Sequence, residues 1–348
     1  MLLAKLKQEA AKILKEIPQP NYRYGLSILL DPKINFDMKL DKDFNFILLG
    51  KTNTIEVRKF SEESLYKNYL TKLVNYSDDK FTSFHFANLD DGLFIKIKQN
   101  LIVPLEIIFD AAGKSQFNHV LLVAEKNVKA NIIIKSLNGN YHSNIFEIFL
   151  KDGSGINLVH LCKENKINFT IKRVAQEAGS KINFYDIVTK NNYSRIETTS
   201  SLNSTGAESN ITKLISGNGE DKVDVYTRAF HNAEDTKSNI LTKSVARDNS
   251  RILTRGLVKI AKYAENSNGY QKSETLFLGE NAEAYSIPNL EIENNNVKCT
   301  HGSSISQIDQ DKVFYLMSRG LTQHEAEEQI INGFLNSILN KINFDVEF

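Results

Sequence analysis

Small polar breaks recur through the second half of this chain at a near-constant spacing. That regularity restricts the fold more than any other feature. The breaks are Thr205-Gly206-Ala207, Gly217-Asn218-Gly219, Asn232-Ala233-Glu234, Asp248-Asn249-Ser250, Ala264-Glu265-Asn266 and Glu280-Asn281-Ala282. Taking every second one, Gly206 to Glu234 spans 28 residues, Gly219 to Asn249 spans 30, Glu234 to Glu265 spans 31 and Asn249 to Asn281 spans 32. Alternating runs such as Lys222-Val223-Asp224-Val225 lie between them and read as strands. A period in this range predicts a solenoid whose every coil supplies two strands and two turns. Only Gly217–Gly219 resembles a two-residue hairpin turn. The pattern leaves a parallel β-helix and an antiparallel sandwich both open.

The reading divides the chain into a mixed helical region at 1–80, a β core at 81–307 and a helical region at 308–348. Leu3, Leu6, Ala10, Ile13, Leu14 and Ile17 recur at helical spacing, and Pro18 and Pro20 stop that helix. Phe44-x-Phe46 and Ile55-x-Val57 predict short strands, and Ser61 with Ser64-Leu65-Tyr66 a short capped helix. From Phe81 to Ile305 the reading is strand throughout. After Asp309 it turns helical. Gly320 suits the left-handed stop of one helix, and Thr322-x-x-Glu325 is a capping box opening the next. The stripe Ala326, Ile330, Phe334, Ile338 and Ile342, widened by Ile331, Leu335 and Leu339, is broad enough to pack on the β core with apolar surface left for a partner.

Charge and composition exclude several functions. Forty-three Lys and Arg against 42 Asp and Glu give no basic excess for nucleic acid. No run approaches the ~18–20 apolar residues of a membrane span. Lys5, Lys7, Lys12 and Lys15 break any signal-peptide core, and two cysteines make no disulfide framework, so a reduced, cytoplasmic setting is expected. There is no P-loop and no Gly-x-Ser-x-Gly elbow. A polysaccharide lyase would carry clustered carboxylates and a hexapeptide acyltransferase a strict six-residue repeat. Neither is present, so an enzyme is not expected.

The leading candidate for chemistry is Cys299-x-His301. On a strand the two side chains share a face, and thiolate plus imidazole suits iron, zinc or an iron–sulfur cluster. Two ligands do not close a site, so either the site is incomplete or a partner chain completes it, the alternative being a buried Cys and a hydrogen-bonded His that finish the last coil. His160-x-Cys162 has the same spacing but sits in an apolar strand, where a cysteine packs as a small hydrophobe. His231 precedes a turn and reads as a cap at a coil corner. His85, His119, His142 and His324 read as surface or packing residues without company. On 251–260, Ile252, Thr254, Gly256, Val258 and Ile260 share one face, and Arg251, Leu253, Arg255, Leu257 and Lys259 the other. The charged face reads as a subunit contact or a polar ladder.

The run from Thr227 to Phe334 resembles the SufB/SufD family, the scaffold subunits of the Suf iron–sulfur assembly machine. The matching pieces are His231 with Thr236 and Ser238, Ser250-Arg251, Arg255-Gly256, Gly269-Tyr270-Gln271, Ile287-Pro288-x-Leu290-Glu291-Ile292, Val297-Lys298-Cys299-Thr300-His301-Gly302 and Phe314-Tyr315-Leu316-x-Ser318-Arg319-Gly320. Pro20-Asn21-Tyr22-Arg23-Tyr24 is a weaker echo with Tyr in place of Trp. The resemblance implies a right-handed parallel β-helix core flanked by helical regions. Ser273 stands where SufB-type chains carry a cysteine, and Cys299-Thr300-His301-Gly302 where they carry a Glu-His-Glu motif. Both departures resemble SufD. By that likeness the chain holds no stable cofactor and handles a transient iron–sulfur cluster with His301, the candidate metal ligand, and Cys299. Its C-terminal helices, around Tyr315, Arg319, Gly320 and Phe334, would bind a SufC-type ATPase. The end of its β-helix would meet a SufB-type subunit or, in a simpler system, a second copy of itself.

Overall fold

Strands that from Ser115 onward are nine to eleven residues long, each ended by a polar turn, wind in the computed structural model into a parallel β-solenoid. The structure describes residues 2–339 apart from 21–22, 25–27, 30–33, 37–39, 51–52 and 63–64. Successive strands alternate between two nine-stranded sheets. One sheet runs from Ile47–Leu49 to Lys298–Gln307, the other from Ile55–Lys59 to Glu283–Ile292. Within these two sheets all pairings are parallel except the two at the N-terminal end, where Ile47–Leu49 and Ile55–Lys59 run antiparallel to their neighbours. This settles the open alternative in favour of the β-helix.

The coil length is not constant. Lys129, Gly155 and Lys181 stand in register 26 residues apart, whereas Lys237 and Asn268 are 31 apart. The first half of the solenoid therefore has the tighter repeat, and the spacing after Gly206 measured only the looser half. A tall apolar column fills the lumen near one end of the strands, from Leu105 and Ile132 through Leu158, Phe184 and Ile211 to Val258 and Ile260.

Helices cover both outer faces. Helix α1 (Leu2–Glu16) and α2 (Lys80–Asn88) lie over the second sheet, where Phe81, Phe84 and Phe86 pack with Phe117, Tyr141, Phe169 and Ile171. The strand reading from Phe81 therefore fails over 80–88. Asp79 caps α2 with a reciprocal Thr82 box, and the helix is buried nearly all round, so it shows no one-sided period. The strand expected at Phe44–Phe46 starts at Ile47, and both rings pack against the lumen column instead. A 3-10 helix does occupy Leu65–Asn68, but the Ser61 hydroxyl donates to Asp91 at 2.6 Å and caps nothing. Ser64, Asn21, Tyr22 and Ile342 lie outside the described residues.

Helices α3 (Gln310–Met317) and α4 (Gln323–Leu339) cover the C-terminal half of the first sheet. Gly320 ends the turn between them at φ +100°, and the Thr322–Glu325 box opens α4. Ala326 and Ile331 pack on Val245 and Leu276, and Ile338 on Val159, Leu161 and Leu214. Phe334 joins the same layer, with the Lys243 ammonium 4.3 Å over its ring. The apolar remainder lies on α3, where Phe314 is 71% and Tyr315 57% exposed. Arg319 stacks on the Tyr315 ring at 5.2 Å.

Candidate functional site at the open end of the solenoid

The last coil consists of Glu283–Ile292 and Lys298–Gln307, the C-terminal edges of the two sheets. Side chains alternate along a strand, so register with the coil below shows which of them face the lumen. Cys299, His301, Ser303 and Ile305 stand above Gly269, Gln271, Ser273 and Thr275. Opposite them, Ser286, Pro288 and Leu290 stand above Thr254, Gly256 and Val258. The Thr254 and Ser273 hydroxyls meet across the lumen at 3.1 Å, which confirms that these faces look at each other. Cys299 and His301 do share a face, as the strand spacing predicts.

Their depths differ. Cys299 is half-buried against the apolar column, and burial raises its thiol above the ordinary value. His301 is exposed. Gln271, directly beneath it, is buried and reaches over Gly256 to donate to the Asn289 carbonyl at 2.9 Å, tying the two sheets together under the imidazole. Thus a recessed thiol and an exposed imidazole line the lumen face of a coil that no further coil covers. Among the described residues no group of three His, Cys, Asp or Glu converges to hold a metal ion.

The free edge of the Lys298–Gln307 strand matters equally. The Lys298 N–H donates inward to Ser267 and the Ile308 N–H to Phe277. Backbone groups alternate in direction, so the N–H groups of Cys299, His301, Ser303, Ile305 and Gln307 point off the end of the solenoid. The other sheet differs. Glu283 and Glu293 donate inward, so position 288 points outward, and Pro288 has no N–H to offer. One edge of the end coil is open to a further strand and the other is blunted.

His231 sits near this end, at the corner where sequence reasoning puts it. It is fully buried, with Nδ1 2.8 Å from the Thr236 hydroxyl and Nε2 2.8 Å from that of Ser238. Burial lowers its pKa to about 4, so the ring is neutral. Arg255 pairs with Asp224, Arg251 with Glu283 and Lys259 with Glu291, so the charged face of 251–260 forms a ladder within the chain.

Two buried clusters escape the sequence reading. His160 and Cys162 do pack in the lumen, and burial pushes the Cys162 thiol up to about 12. Beside them Asp186 accepts from both Lys172 and Lys213, all three fully buried. Burial alone would raise the Asp186 carboxyl, but the two ammonium groups hold it well below the usual carboxylate range. Further along, a small lumen cavity of about 20 Å³ is lined by Thr242, Thr254, Ser273 and Ser286, room for a single water. The second cluster corrects the view that His85, His119 and His142 lack company. His85 contacts Ser143 at 2.8 Å and His119 at 3.3 Å, and His119 contacts Glu147 at 3.1 Å. Glu147 also accepts the backbone N–H groups of Thr71, Leu73 and Val74, bolting the N-terminal cap to the solenoid. His142 bonds the Leu137 carbonyl and Asn118. Only His324 is exposed as read.

Residues 107–334 match the family described as "SUF system FeS cluster assembly, SufBD core domain". An iron-sulfur cluster assembly SufBD family protein of Staphylococcus saprophyticus is 25% identical over 341 residues, covering 94% of this chain and 72% of the relative. The iron-sulfur cluster assembly protein SufB of Bacillus subtilis is 23% identical over 342 residues with the same coverages. A SufBD family protein of Pyropia yezoensis is 26% identical over 305 residues, 82% of this chain and 62% of the relative. The chain thus aligns with roughly two-thirds of the length of these relatives.

Proposed function

Because the chain belongs to the SufB/SufD family of iron–sulfur cluster assembly proteins, we propose that it works as a SufD-type scaffold subunit. It pairs with a SufB-type chain through the open end of the solenoid and binds a SufC-type ATPase through its C-terminal helices. The observation that carries this reading is the end coil itself. Cys299 and His301 line the uncovered lumen face of the end coil beside an unpaired strand edge, two soft ligands short of a cluster's usual four. The partner strand would bring the missing ligands to them. The subunit catalyses nothing alone. It presents a thiol and an imidazole to the cluster, and the ring lone pair of His301 ligates iron or accepts a proton.

His301→Ala tests this reading. The side chain is exposed, so its loss leaves no buried group unpaired, and melting temperature and complex formation are expected to stay at wild-type values. Cluster yield per folded complex is expected to fall about tenfold or more. A melting point several degrees lower, with yield falling only in proportion to folded complex, would make His301 structural.

The ATPase dock is assigned to the exposed face of α3. Deleting both helices is a poor test, because it uncovers Val245, Leu276 and Leu214 on the sheet. Phe314→Ser with Tyr315→Ser removes two exposed aromatic rings and little folding energy. Aromatic anchors of an interface contribute about 2 kcal/mol or more each, so losing two should drop affinity for the SufC-type partner about a thousandfold, read by calorimetry. Unchanged affinity would put the dock elsewhere.

A further inference from the structure

Gly269 matches a family motif but has no role in the reading above. Its φ is not in the left-handed region, so no backbone demand selects glycine there. Space does. A Cβ at 269 would lie 2.6 Å from Val258 Cγ1, 3.2 Å from Cys299 Sγ and 3.6 Å from His231 Nε2. Two of these neighbours are fixed. Val258 is fully buried in the opposite wall of the lumen, and the His231 ring is held at both nitrogens by Thr236 and Ser238. Only Cys299, half-buried on the end strand and directly in register with Gly269, can give way.

We propose that Gly269 is a positioning residue for the cluster site, because its missing side chain is the seat that holds the Cys299 sulfur. The seat draws the sulfur down against Val258 while His301, two residues on, stays at the surface. The thiol is thereby shielded from oxidants and alkylating agents in the free chain. A thiophilic metal such as iron or a cluster would draw it out by binding the thiolate, the thiol proton passing to solvent. The role given to the seated sulfur rests on the proposed function. The seat itself does not.

The test uses the full chain and iodoacetamide, with alkylation at Cys299 and Cys162 followed separately by peptide mass spectrometry. Gly269→Ala is expected to expel the sulfur and speed Cys299 alkylation about tenfold, while fully buried Cys162 stays unlabelled. Adding Val258→Ala to that variant reopens the space and should return the rate toward wild type. Because Val258→Ala also relieves the 2.6 Å contact itself, melting temperature is followed in each variant, and acceleration that only tracks lost stability would overturn the seat. If Gly269→Ala fails to fold, Val258→Ile closes the same seat from the opposite wall and should give the same acceleration. Folded Gly269→Ala or Val258→Ile protein that labels at the wild-type rate would overturn the seat. Cluster yield in the assembled complex is a separate arm. A displaced sulfur with unchanged yield keeps the seat and removes Cys299 from the proposed function.

Discussion

Asp186→Ala is expected to cost about 3–5 kcal/mol, a large share of the stability of any domain, because it strips from two ammonium groups inside the lumen the one counter-ion they have among the described residues. Lys172 and Lys213 are both fully buried, and the Lys213 ammonium keeps a single further contact, 2.8 Å from the Thr198 hydroxyl. One carboxylate against two ammonium groups is already an unbalanced core. Losing it leaves two uncompensated charges in a medium that solvates neither. Denaturant unfolding reads the loss directly. Replacing all three groups by apolar residues of similar size, Lys172→Met, Asp186→Leu and Lys213→Met, should recover most of it, since removing a buried ionic group whole is often neutral. A midpoint unchanged by Asp186→Ala would show that water reaches the cluster.

The same cluster sets a pH dependence. Burial lowers Lys213 to about 8, against the pull of Asp186, whereas an unfolded lysine titrates near 10.4. Below pH 8 both states carry the proton, and the folded chain bears the full cost of the buried charge. Between pH 8 and about 10.4 only the unfolded chain stays protonated, so stability contributed by this group rises with pH. Lys213→Met should abolish that rise.

That cluster also marks the limit of what the sequence discloses. In Ile167–Gln176 the alternation offers Phe169 and Ile171 as the core-facing set and Lys172 as solvent-facing. The structure inverts the phase. Asn168, Thr170, Lys172 and Val174 face the lumen, and Phe169 with Ile171 face the N-terminal cap. Alternation reports which face is apolar, not which is inside, and a sheet covered on both sides has two inside faces. The ion group joins residues 14 and 27 apart, and the His85–His119–Glu147 group residues 34 and 28 apart, the latter through a helix read as strand. Contacts one coil apart leave no local signature. The end coil was legible for the opposite reason. Its strand pattern, its Cys-x-His spacing and the switch to helical period at Asp309 are all local. The 26-residue repeat was also present in Gly153, Gly179 and Gly206, at intervals of 26 and 27 residues.

Ser303→Pro is expected to abolish pairing at the solenoid end while leaving the chain folded. The Ser303 N–H points off the free edge, so proline there deletes no bond within the chain. It does remove the donor at the middle of the end-coil edge that is open to a further strand. The second sheet already shows that the backbone tolerates this, since Pro288 stands at an equally outward position of its own edge strand. Ser304→Pro is the contrast. Its N–H points inward to the neighbouring strand, so it should loosen the last coil and lower the melting point. Strand addition draws its affinity from main-chain hydrogen bonds, and a single proline breaks their run and clashes with the incoming strand. Size-exclusion chromatography with light scattering, on the chain alone and with the SufB-type partner, reads the outcome. Loss of the mixed dimer by Ser303→Pro alone supports the SufD-type assignment. Loss of a homodimer instead places a second copy of the chain on the same edge. Wild-type association by folded Ser303→Pro would mean that partners meet through side chains of the end coil and not through its backbone, and the free edge would then have no part in bringing ligands to Cys299 and His301.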